Sequence, residues 1–110
     1  MSASCCLVYF GLRYEVSEEE IEPLELEIDP RLFSIKKAKL DHYWCNFGGL
    51  DERYLLFVGA EIGIIGPEDK WQHHLSDNGF DQIVKSTPAK LKQAGFKGSP
   101  KLYIQWMQDV

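Results

Sequence analysis

Tyr54-Leu55-Leu56-Phe57-Val58-Gly59-Ala60-Glu61-Ile62-Gly63-Ile64-Ile65 is the most apolar and β-prone stretch of this sequence, and its reading decides the fold. Tyr54, Leu56 and Val58 alternate with Leu55 and Phe57, so both faces of the first half are apolar. A strand apolar on both faces is one that is covered on both faces and central in its sheet. Gly59-Ala60-Glu61 interrupts the run and predicts a three-residue hairpin loop, with Tyr54 to Val58 pairing back on Ile62 to Ile65.

Upstream, Cys6 to Val16 alternates as a long strand. Its even positions are nearly all apolar, and its odd positions turn polar at Arg13 and Glu15. Ser17 followed by Glu20 has capping-box spacing, and three successive glutamates suit the positive end of a helix dipole. Pro23 limits that helix to one or two turns, since it supplies no N–H to the ladder. Asp29-Pro30 is a second helix start, Asp as N-cap and Pro in the first turn, for a short amphipathic helix ending near Leu40. Asp41 to Phe47 reads as a strand, with Tyr43, Cys45 and Phe47 on one side and His42, Trp44 and Asn46 on the other. Gly48 to Asp51 turns the chain toward the central stretch.

Downstream, Gly66-Pro67 reads as a turn and Trp71 to Leu75 as a strand. The longest helix starts at Ser76, Asp77 or Asn78. Phe80, Ile83, Val84, Thr87, Leu91 and Ala94 recur at steps of three and four through Pro88, so the helix either kinks there or gives way to a second one. Gly95 is placed to end it in a left-handed cap with Phe96 folding back. Lys101 to Gln108 is the last strand, with Leu102, Ile104 and Trp106 alternating against Tyr103, Gln105 and Met107. Strands joined by short connections, with few helices, predict an α+β fold: a mainly antiparallel sheet with helices packed on one face, a two-layer sandwich spanning residues 1–110 as one domain.

The 110 residues carry a net charge of −5, with the acidic residues crowded into the first third. Nucleic acids and anionic membranes are recognised by clustered Lys and Arg, so neither is an expected partner. No apolar run reaches the roughly 20 residues that span a bilayer. The first ten residues have no basic residue ahead of their apolar segment and read as the first strand rather than a leader. Three cysteines without repeated spacing, Cys5, Cys6 and Cys45, argue against a disulfide framework and for a reducing, cytoplasmic setting.

Motifs for chemistry are absent. His42, His73, His74 and the cysteines show no metal-ligand spacing, so no metal or other cofactor is expected. Cys45 and His42, three apart in a strand, point to opposite faces and form no local dyad. Gly59, Gly63 and Gly66 match neither a dinucleotide fingerprint nor a phosphate loop. The Glu18 to Glu20 run is the solvated start of a helix.

One surface remains. With helices over the face bearing Val8, Phe10, Tyr43, Phe47, Ile104 and Trp106, the opposite face presents Tyr9, Arg13, His42, Trp44, Asn46, Tyr103 and Gln105, with His74 as a further candidate. Aromatic side chains with polar handles and an arginine are the composition of contact surfaces. The expectation is a non-enzymatic binding protein that engages a protein partner or forms a homodimer, in the manner of inhibitor or immunity proteins where the partner is basic. The alternatives are a small-molecule binder with an aromatic pocket at Trp44 and Tyr103, and a small enzyme uniting His42, His74 and carboxylates.

Overall fold

In a computed structural model, describing residues 5–48, 51–66 and 76–107, the order is β1 (Cys5–Glu15), α1 (Glu18–Glu25), α2 (Pro30–Lys37), β2 (Asp41–Asn46), β3 (Tyr54–Ile65), α3 (Asp77–Gln93) and β4 (Lys101–Met107). The strands form one antiparallel sheet in the order β2-β3-β1-β4. The fold is α+β, with α2 packed on β2 and α3 on β1 and β3. No described helix is long and apolar enough to cross a membrane. The strand expected at 71–75 lies outside the described residues.

The hairpin expected within Tyr54–Ile65 does not form: the stretch is a single strand of 12 residues. It pairs along its length with β1, from Cys6 opposite Ile65 to Glu15 opposite Leu55. Gly59 is not a turn residue but a point of close approach. It lies opposite Gly11, and a Cβ on Gly11 would stand 2.0 Å from the Val58 carbonyl oxygen. A Cβ on Gly59 would stand 2.3 Å from that of Phe10. Two facing glycines let the backbones touch where any other residues would hold them apart. The remaining misfit is absorbed by a bulge: Val8 pairs with Gly63 and Tyr9 with Glu61, so Ile62 is the extra residue.

The sheet is apolar on both sides. On the helix side Leu12, Ile35, Leu56, Val58 and Leu91 form one buried cluster, with Trp44 and Phe96 against it. On the other side Leu7, Tyr9, Phe47, Leu55 and Phe57 form a second. Tyr9 and Phe57 sit on either side of the glycine row, at positions four residues apart in register, which a flat sheet would hold about 14 Å apart. Their ring centroids are 5.7 Å apart, because the rings lean into the space the two glycines leave empty. Phe57 also meets Phe47 at 5.5 Å and Tyr103 at 5.7 Å, both edge-on. The second core is thus built from rings borne by the sheet and its β2–β3 connection.

Each helix starts and stops by local chemistry. The Ser17 N–H and hydroxyl both donate to Glu20 Oε1, at 2.9 and 3.0 Å. Asp29 Oδ1 accepts from the Arg31 N–H at 2.9 Å, and Ser76 Oγ from Gly79 at 3.0 Å. All three described helices end in the same left-handed motif, with Ile28, Leu40 and Phe96 donating back to the Pro23, Ile35 and Leu91 carbonyls. Only Gly95 is a glycine at the left-handed position; Glu27 and Lys39 occupy it at φ 57° and 60°. α3 runs unbroken through Pro88, whose neighbour Thr87 is buried with Leu91. Arg31 ties α1 to α2, bonding Glu20 at 2.7 Å and Asp29 at 2.9 Å.

Candidate functional site

Of the residues expected to share an open face, the pairing unites four. Tyr103 lies opposite Tyr9 and Gln105 opposite Leu7, so Tyr9, Arg13, Tyr103 and Gln105 are on the helix-free side. The Arg13 guanidinium stacks over the Tyr103 ring at 5.0 Å and donates through Nη1 to Gln105 Oε1 at 3.1 Å. This holds a cation over an aromatic ring, with Arg13 exposed. Tyr9 is not a surface residue. Its side chain is in the core, and its acidity is suppressed by burial first and then by the Glu61 and Asp41 carboxylates.

His42, Trp44 and Asn46 do not join them. They pair with Val58, Leu56 and Tyr54, which places them on the helix side, while Tyr43 lies opposite Phe57 and so shares the face of Arg13. Trp44 packs against the helix-side core, its ring 6.2 Å from that of Tyr54. Asn46 Oδ1 accepts from the Gly48 N–H at 3.1 Å, part of the turn. The expected grouping had the phase of β2 inverted. β2 carries aromatics on both sides, so its alternation alone does not say which side faces the helices.

Two residues expected to lie under helices, Ile104 and Trp106, are open. Leu102, Ile104 and Trp106 lie opposite Phe10, Val8 and Cys6 on the helix side of the sheet, yet are 48%, 70% and 54% exposed. Among the described residues the helices pack mainly over β1, β2 and β3. Among the described residues β4 is also an edge strand, with β1 as its neighbour. The alternation of β4 was the available signal; what it could not give was the width of the helical layer.

Concave surface lies elsewhere. A groove of about 440 Å³ runs along α2, lined by Ile28, Phe33, Lys36, Leu40 and His42 among others, with Ile28 and Phe33 largely exposed. A second, of about 420 Å³, lies between Tyr14, Arg31 and Phe96. Trp44 and Tyr103 line neither, so the aromatic pocket expected there is not formed in either groove. Burial raises the pKa of Tyr14 and of Cys45, keeping the Cys45 thiol protonated. Cys45 and His42 point to opposite faces. Among the described residues no three His, Cys, Asp or Glu side chains are placed to hold a metal ion. His73 and His74 lie outside the described residues.

Comparison with known proteins finds no family model, no curated protein and no solved structure that matches the chain.

Proposed function

We propose that this is a non-enzymatic binding protein that engages a protein partner through the β4 side of its sheet, in the reducing setting that three cysteines without repeated spacing suit. The observation that supports this reading is the row Leu102, Ile104 and Trp106, exposed together on an edge strand beside the half-buried Val8 and Phe10. Scattered apolar residues are ordinary on a surface. A contiguous row that includes a tryptophan has the make-up of a contact region, and the Arg13–Tyr103 contact lies on the opposite face of the same sheet edge. The acidic balance of the chain, −5, favours a neutral or basic partner over an anionic one.

The test is affinity capture with the wild-type protein, Ile104→Lys and Phe33→Ala, each checked for folding by its thermal melt. The expected result is a protein retained stoichiometrically by the wild type and by Phe33→Ala and lost on Ile104→Lys. Equal retention by all three argues against the β4 surface. A second reading, a small apolar ligand in the α2 groove, rests on the exposed Ile28 and Phe33 beside His42. It predicts that Phe33→Ala, not Ile104→Lys, abolishes uptake of an apolar fluorescent probe.

A further inference from the structure

We infer that the occupant of the β4 edge is a second copy of this chain, joined antiparallel about a two-fold axis through Ile104, which extends the sheet from four strands to eight. The inference rests on the binding role proposed for β4 and names its partner.

The argument is one of self-complementarity. Two copies of an antiparallel edge keep their side chains on matching faces only when the axis passes through a residue. For the seven residues of β4 to overlap fully, that residue is Ile104, the midpoint of Lys101–Met107. This register sets Ile104 against its own counterpart and Leu102 against Trp106 of the other copy, so the exposed apolar residues meet one another as cross-strand pairs. On the other face Tyr103 meets Gln105, an aromatic against an amide. The one charged residue of the strand, Lys101, falls opposite Met107, and the two Lys101 groups stand roughly 20 Å apart, beyond the reach of repulsion in physiological salt.

β4 also lacks the devices that keep edges from pairing. It contains no proline and no bulge, its only lysine is at its first residue, and among the described residues the helices pack mainly on the other strands. The opposite edge is less suited. β2 has six residues and begins with the exposed Asp41 and His42, and Asp41 Oδ2 is engaged by the Glu61 N–H at 2.9 Å. A seven-residue contact is smaller than the interfaces of about 800 Å² per partner that give tight complexes, so a dissociation constant on the order of micromolar is expected.

The experiment is sedimentation equilibrium of the full chain from about 5 to about 500 µM, bracketing that constant, with three variants. The wild type is expected to pass from monomer to dimer over this range. Ile104→Lys, which brings two ammonium groups together at the axis, is expected to remain monomeric throughout, while Phe33→Lys, on the exposed face of α2, dimerises as the wild type does. Ile104→Cys is expected to form an intermolecular disulfide joining the two position-104 sulfurs on mild oxidation, as peptide mapping would show, since directly opposed residues lie about 4.5–5.5 Å apart at Cα. Leu102→Cys does not, its counterpart being roughly 14 Å away. A wild type that stays monomeric, or equal cross-linking at positions 102 and 104, overturns the inference. If that monomer still captures another protein that Ile104→Lys loses, the binding role of β4 stands and only the second copy is refuted.

Discussion

Replacing Gly11 by alanine should destabilise the protein by about 2–4 kcal/mol, opposite in sign to the usual effect of adding a methyl group to a strand. Elsewhere Gly→Ala at a compatible site stabilises by about 0.4–1 kcal/mol, because the unfolded chain loses freedom. At Gly11 the new Cβ would lie 2.0 Å from the Val58 carbonyl oxygen and 2.8 Å from the Gly59 Cα, all backbone atoms that cannot swing aside. To reach an ordinary contact the central strands must part by roughly 1.4 Å, which stretches the flanking ladder bonds beyond hydrogen-bonding distance. Two such bonds lost at about 1 kcal/mol each, with overpacking strain of about 1–3 kcal/mol and the unfolded-state gain set against them, lead to the figure above. Urea denaturation should show a lower midpoint at unchanged slope, and the melting temperature should fall by roughly 10 °C. Gly95→Ala is the control: φ is +90° but nothing lies within 4 Å, so the cost should stay near 1 kcal/mol. A Gly11→Ala protein as stable as the wild type would refute the close-approach account of the central pair.

Two further outcomes follow from the helix ends. Glu27→Gly and Lys39→Gly should each raise stability by about 0.5–1 kcal/mol, since both residues sit at left-handed φ without the freedom of glycine; a lower urea midpoint for either would contradict the cap geometry. The hydrogen bonds from Arg31 hold the Asp29 carboxyl below its ordinary range, and the Ser17 N–H does the same for Glu20. Both folded-state values are depressed, so their stabilisation is complete above the unfolded carboxylate values and is lost as pH falls through the folded ones. Asp29→Ala should therefore cost about 1–2 kcal/mol at neutral pH and progressively less below about pH 4. A penalty unchanged down to pH 2.5 or so in chemical denaturation would show that the carboxylate charge is not what Arg31 requires.

Much of the architecture is legible in local chemistry. Asp29-Pro30, Ser17 with Glu20, and Gly95-Phe96 mark helix boundaries by bonds that involve only near neighbours, and the structure contains those bonds. The alternation of β1 and β4 likewise locates them. What local pattern does not carry is what depends on a distant partner. Gly59 reads as a turn until Gly11 stands opposite it. The phase of β2 is open because Trp44 and Tyr43 are equally suited to burial, and only the register with β3 assigns them. The exposure of Leu102, Ile104 and Trp106 depends on how far the helical layer extends, a property of helix placement rather than of β4 itself.

The position of β1 has a consequence for biosynthesis. β1 is an inner strand of the finished sheet, and its neighbour β4 is made much later in synthesis: Cys5 Sγ lies 3.7 Å from Met107 Sδ across 102 residues of sequence. Contacts of such long range form late and slowly. Until β4 arrives, one flank of β1 is bare backbone, open to any extended chain nearby. Shielding of nascent β1 is therefore a requirement that this topology imposes on the cell, and the arrival of β4 is what lifts it.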